Sequence, residues 1–257
     1  DKEIEVERGV ILQEIAMYLD IPDDVVSDLL RNISYPDQPL GRSILGSPNN
    51  IKKFKGKDFF GFVDKYYHPK QIIITVAGGV KSSDVFRSIE EKFGYLDGPD
   101  FLSPSEAKFK GGENRIEKQL EQAHFTFALE APTITDPKVY DARVFSAILG
   151  GGMSSRLWQE IREKRGLCYS INSGVESYPD TGQIVIYSGT GSEKISELSY
   201  VVVEEIKKLT SNVQDAEVSR AKTRMKAGML MSLEDPFFRC ARMAGLLTTW
   251  GRILDLE

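Results

Sequence analysis

Three glycines in a row, Gly150, Gly151 and Gly152, constrain this chain more than any other feature. A run without Cβ atoms marks a tight loop that a second backbone can approach closely. Residues 149–170, LGGGMSSRLWQEIREKRGLCYS, read as that loop, a short amphipathic helix and a strand. Ser154 or Ser155 is placed to cap the helix. Leu157, Ile161 and Trp158 form its buried stripe, while Gln159, Glu160, Arg162, Glu163, Lys164 and Arg165 stay polar. Gly166 is placed to end it. Leu167, Tyr169 and Ile171 then alternate with Cys168, Ser170 and Asn172, the period of a half-buried strand. Arg162 and Tyr169 are seven residues apart but separated by the turn, so both can point into the space beside the glycine loop. The alternative is a solvated helical arginine and a tyrosine at the edge of the core.

A length of 257 residues suits about two domains with a substantial core. No run approaches the roughly 18 apolar residues that a membrane span needs. The chain opens on DKEIEVERG without a Met, which leaves room for an upstream targeting segment. Cys168 and Cys240 lie far apart and read as reduced structural thiols, without metal-site spacing. Net charge is −5, and the first fifty residues hold ten Asp/Glu against four Lys/Arg. That excess disfavours nucleic acid and suits a metal, a basic peptide or plain solvated surface.

Residues 3–19 read as a helix. At about 100° per residue, Ile4, Ile11, Ile15, Tyr18, Val10 and Met17 form a broad apolar sector, with Glu7 and Glu14 inside it. Carboxylates there are costly unless paired or bonded. A metal with a supporting carboxylate resolves the cost, and so does a helix edge where both acids reach water. Pro22 starts a second helix with Val25, Val26, Leu29, Leu30 and Ile33. Phe59, Phe60, Phe62 and Tyr66 line another. Residues 71–77 (QIIITVA) read as a buried strand, and 82–93 as a helix. A Pro/Gly-rich linker, 98–113, separates a domain at 1–97 from one at 114–257. Strands follow at 122–130 and 183–187, and helices at 140–149, 194–209, 215–231 and 236–250. His68 reads as a loop residue and His124 as a strand histidine bonded to a neighbour.

Residues 149–170 resemble the second-domain motif of the pitrilysin/insulinase (M16) family of zinc metallopeptidases, nearest to its processing-peptidase branch. The similarity includes the seven-residue offset from Arg162 to Tyr169. ERGVILQEI resembles the family segment that follows the zinc-binding H-x-x-E-H helix, and YPDQPLGRSILG is again like the processing-peptidase branch. The resemblance implies that Arg162 and Tyr169 hold the peptide and stabilise the tetrahedral intermediate. It implies that Gly150 to Gly152 let the substrate backbone pass, that Glu14 is the third zinc ligand, and that Glu7 supports the site. One departure matters: H-x-x-E-H is absent, and the two histidines, His68 and His124, are not spaced for it.

A weak internal repeat sets Glu7 over Ser219, Glu14 over Lys226 and Glu257 opposite Leu45. With the resemblance, this gives an α+β fold of two related domains, each a mostly antiparallel sheet covered by helices and each incomplete here. The implied protein is a Zn2+ endopeptidase acting on peptides or unfolded proteins. It would work as a homodimer or with a related subunit, in the cytoplasm or periplasm of a bacterium or the mitochondrial matrix of a eukaryote. This 257-residue chain alone should hold no zinc tightly and hydrolyse nothing. The runner-up is a non-catalytic peptide-binding or scaffold subunit of the same family.

Overall fold

The computed structural model describes residues 2–98 and 105–255. Its α+β character matches the expectation. Among the described residues the sheet is one three-stranded antiparallel ladder, β1 (Ala123–Glu130), β2 (Cys168–Ser177) and β3 (Gly182–Thr190), in the order β1-β3-β2. The central strand β3 buries Ile184 and Ile186, and Phe125 and Phe127 of β1 pack against the same core.

The helices are α1 (Lys2–Leu19), α2 (Pro22–Ser34), α3 (Pro48–Ile51), α4 (Gly56–Tyr66) and α5 (Ser82–Phe93), all before the sheet. Then come α6 (Val139–Gly150), α7 (Ile195–Ser211), α8 (Asp215–Ser232) and α9 (Pro236–Trp250). The elements that the weak repeat aligns have similar lengths. Helices α1 and α8 each have 18 residues, and each is followed by a short turn and a helix opened by a proline, Pro22 or Pro236. Glu257, the far end of that alignment, lies outside the described residues.

Compactness divides the chain into two discontinuous units. The larger comprises Val10–Pro48 and Glu106–Arg224; the smaller comprises Asp1–Gly9, Asn49–Ser105 and Met225–Glu257. These boundaries do not follow a cut at 98–113. Residues 99–104 of that linker lie outside the described residues. Its later part belongs to the larger unit: Ala107 is buried, and its N–H donates to Asp180 Oδ2 at 2.6 Å. Lys108 N–H donates to Gln38 Oε1 at 2.7 Å.

The larger unit owns the core. Helix α6 packs on β2, α2 on β1, and α7 against α6. Leu149, Leu157, Ile161, Ile171, Ile186, Leu198, Val202 and Leu209 are fully or almost fully buried together. In the smaller unit no apolar side chain among the described residues is buried, and Phe60, Phe86 and Phe237 are largely exposed. The expected strand at 71–77 is not formed: among the described residues the segment has no ladder partner, and Ile73, Ile74 and Val76 are exposed. An apolar run can signal a strand, but only a neighbouring segment can satisfy its backbone groups.

Candidate functional site

The glycine loop follows α6, and its three members answer to different neighbours. A Cβ on Gly150 would lie 2.6 Å from Ser173 Cβ and 2.7 Å from Ser173 N, on strand β2. On Gly151 it would meet Ala147 O at 2.6 Å, and on Gly152 (φ +153°) Arg224 Nη1 at 2.5 Å. The close approach that the run permits is therefore used by the protein's own strand, helix and an exposed arginine. Ser146 Oγ and Ser173 Oγ, 2.7 Å apart, tie α6 to β2 beside it.

The next helix starts with a bond from Gln159 N–H to Ser155 O. Neither expected cap operates through Ser155, whose hydroxyl is buried without a hydrogen-bond partner among the described residues. From Trp158–Glu163 the winding is π-helical, and Lys164 N–H reaches back five residues to Gln159 O. Such wide turns are rare and concentrate at functional sites. Gly166 (φ +58°) ends the helix as expected, its N–H on Arg162 O and the next N–H on Ile161 O.

Leu157 and Ile161 form the buried stripe, but Trp158 does not join it. Its ring instead lies beside the Arg162 guanidinium, 4.2 Å from ring centroid to Cζ. The Tyr169 ring centroid is 5.0 Å from the same carbon. The structure thus brings Arg162 and Tyr169 together, as the seven-residue offset across a turn suggested. The Arg162 side chain makes no hydrogen bond or ion pair among the described residues. Its acidic neighbours are engaged elsewhere: Glu163 Oε1 accepts from Trp158 Nε1 at 3.0 Å, and Glu160 pairs with Lys164 and Arg165. Those two cations hold the Glu160 carboxyl below its ordinary range.

Simple alternation placed Tyr169 with Leu167 and Ile171 on the buried face. Leu167 and Ile171 are buried, but Tyr169 is 79% exposed. The reason is a register shift: Cys168 pairs with Thr190 and Ile171 with Ser188, so β2 spends one extra residue there. A bulge of this kind breaks the two-residue period and re-aims a side chain. It also costs ladder bonds, which buried hydroxyls of β3 replace. Ser188 Oγ donates to Ser170 O at 3.0 Å and Thr190 Oγ1 to Leu167 O at 2.6 Å. Cys168 sits inside the bulge, and burial pushes its thiol pKa up against the opposing effects of Ser188 and Arg162. Ser188 and Thr190 were missed from sequence. Their signal was an inward β3 face that turns from Ile184 and Ile186 to hydroxyls.

Glu7 and Glu14 are both exposed on α1. The packed stripe of that helix is Ile4, Ile11, Ile15 and Tyr18, whereas Val10 and Met17 are exposed with the acids. The cost of burying two carboxylates therefore does not arise. His124 Nδ1 lies 2.9 Å from Tyr187 Oη and 3.2 Å from Asp23 Oδ1, and His68 Nε2 lies 2.9 Å from Lys65 O. Among the described residues no three His, Cys, Asp or Glu side chains gather as a metal site. One exposed carboxylate is too small a donor set for zinc, which takes three or four protein ligands. The described residues do not fit the ion by themselves.

The family described as Peptidase M16 inactive domain matches residues 53–225. The chain belongs to the peptidase M16 family. It is 35% identical over 258 residues to an uncharacterized zinc protease of Rickettsia felis, covering 100% of this chain and 63% of that protein. To the zinc protease YmxG of Bacillus subtilis it is 33% identical over 244 residues, covering 94% of this chain and 59% of that protein. The chain thus spans about three fifths of the curated relatives it matches. Among solved structures, a protease from Helicobacter pylori superposes with TM-score 0.85 at 22% identity, over 97% of this chain and 63% of that one. A chain of complex III2 from Candida albicans gives TM-score 0.85 at 19% identity, over 97% and 62%. These structural likenesses establish the M16 fold. No helix among the described residues is long and apolar enough to cross a membrane.

Proposed function

We propose that this chain forms the peptide-holding wall of a zinc-dependent endopeptidase that cuts peptides or processes precursor proteins. One observation carries the reading: the Arg162 guanidinium lies over two aromatic rings, its side-chain donors unspent among the described residues, beside a tyrosine that a bulge turns into solvent. A guanidinium presents its N–H groups around the edge of its plane, so stacking on the faces leaves them free for peptide carbonyls or a carboxylate. The Tyr169 hydroxyl can donate to the carbonyl oxygen as charge develops on it, an interaction that strengthens toward the transition state.

Glu14, with Glu7 supporting it, is this chain's proposed contribution to the metal, and the other ligands would come from outside these 257 residues. Gly150 to Gly152 would border the path of the substrate. The protein would act with a second copy or a related subunit, in a bacterial cytoplasm or periplasm or a mitochondrial matrix. The exposure of both glutamates without partners favours a second reading, a non-catalytic subunit that binds peptides through the same arginine and tyrosine.

The test is steady-state kinetics of the full-length protein on β-casein, with zinc measured in parallel. Tyr169→Phe should lower kcat by about 10²–10³ with little change in KM. Arg162→Ala should raise KM as well, and neither should change zinc content. Full kcat in Tyr169→Phe, with only a lower melting temperature in Arg162→Ala, refutes both roles. A wild-type protein that binds casein peptides through Arg162 without cutting them establishes the second reading.

A further inference from the structure

Trp158 is an unexpected member of the site. A tryptophan on a short amphipathic helix would ordinarily join the buried stripe, yet here Leu157 and Ile161 fill that stripe without it. Its indole is half-buried, and the guanidinium of the residue four positions on lies over it, 4.2 Å from ring centroid to Cζ. Two features hold it there. The π-helical winding of Trp158–Glu163 keeps the two residues, four apart, on one side of the helix. The indole N–H donates to Glu163 Oε1 at 3.0 Å, which fixes the ring's rotation.

We propose that Trp158 is a positioning residue for Arg162, acting with the Tyr169 ring to fix the guanidinium plane before any peptide arrives. This rests on the reading of Arg162 as the peptide-binding cation. An arginine free in water loses the entropy of a long side chain when it binds. One already resting against two rings has lost much of it, while its donors stay available because Glu160 and Glu163 are bonded to other partners. The ligand class that such a fixed, edge-on fork selects is an extended backbone with carbonyl oxygens in line, or a peptide carboxylate.

The experiment measures the Kd of a fluorescein-labelled β-casein peptide by anisotropy. It uses the full-length protein treated with a chelator, so that binding is read without turnover. Trp158→Ala should weaken binding about 2- to 12-fold, the cost of immobilising one long side chain. Trp158→Phe, which keeps an aromatic face and loses only the indole N–H, should stay within about twofold of wild type. In an Arg162→Ala background, Trp158→Ala should add nothing. Binding by Trp158→Ala as tight as wild type overturns the proposal while leaving the role of Arg162 intact, provided Arg162→Ala itself weakens binding. A loss that persists undiminished without Arg162 also overturns it, because the indole would then contact peptide directly or serve only the fold. Unchanged binding in Arg162→Ala overturns the reading of the arginine, and this proposal with it.

Discussion

Gly150→Ala separates two explanations of the glycine run. If the glycine exists to let a substrate backbone pass, an added methyl leaves the fold intact and weakens peptide binding. The structure gives a different account. The new Cβ would lie 2.6 Å from Ser173 Cβ and 2.7 Å from Ser173 N, with Asn172 C at 3.1 Å. Carbon atoms normally approach to about 3.5–4.0 Å, so α6 and β2 must separate by about 1 Å. Neither can yield freely, because Ser146 and Ser173 bond across the same contact at 2.7 Å and Leu149 is fully buried beside it. Overpacking of this kind costs about 1–3 kcal/mol.

Alanine is the better helix former by up to about 1 kcal/mol in a helix interior, and Gly150 closes its helix, so the offset is smaller. A net loss of about 1–2 kcal/mol is expected, or about 2–8 °C in melting temperature. Urea denaturation measures it. Gly174→Ala is the control, on the same strand but with nothing within 4 Å of its added Cβ, and it should be neutral or slightly stabilising. A Gly150→Ala protein as stable as wild type refutes the packing argument. Loss of peptide binding without loss of stability would restore the substrate-passage account.

Other expectations follow from single contacts. Glu217 accepts a two-bond clasp from Arg156 at 2.8 and 2.6 Å, which holds its carboxyl pKa below the ordinary value of 4.5. A pKa lowered by folding adds stability above the unfolded pKa, and that stability is lost as pH falls through the folded value. The gap between wild type and Glu217→Gln should therefore be about 1–3 kcal/mol at pH 7 and close on acidification below that range, read by urea titration across pH; a constant gap refutes it. Gly166→Ala should cost about 1–2 kcal/mol through its positive φ alone, since the space around it is empty, and an unchanged urea midpoint would contradict that. The 257-residue chain should keep no stoichiometric zinc through dialysis against a weak chelator; one equivalent retained, and lost in Glu14→Gln, would show a site that its donors do not suggest.

Much of the fold was legible because periodicity and punctuation agree. Pro22 and Pro236 open helices, Gly166 closes one, and α5 and α9 occupy the predicted residues. Residues 71–77 failed because apolar content cannot supply a ladder partner. On α1 the sector was drawn too wide: Ile4, Ile11, Ile15 and Tyr18 pack, while Val10 and Met17 share the exposed side with Glu7 and Glu14. A hydrophobic side chain on a helix does not by itself say which flank of its sector will be covered. The meeting of Arg162 with Tyr169 was readable from a turn between them. The manner of their meeting was not, because it depends on two departures from regular geometry that no period encodes.

Those departures lie within a dozen residues of each other. Between Trp158 and Ile171 the helix widens into a π turn and the strand takes up an extra residue. Each irregularity forfeits regular backbone bonds, and each is compensated by named groups. Lys164 and Leu167 N–H close the wide turn, and Lys194 Nζ donates to Gly166 O at 3.2 Å. Ser188 and Thr190 hydroxyls serve the bulge. Both distortions accompany side chains, Trp158 and Tyr169, whose rings meet one guanidinium. The role proposed for Arg162 gives that convergence a reason in the cation rather than in packing alone. Their dependence can be measured: Ser188→Ala and Thr190→Ala, which leave carbonyls of the bulge unsatisfied, should weaken peptide binding in wild type but not in an Arg162→Ala background.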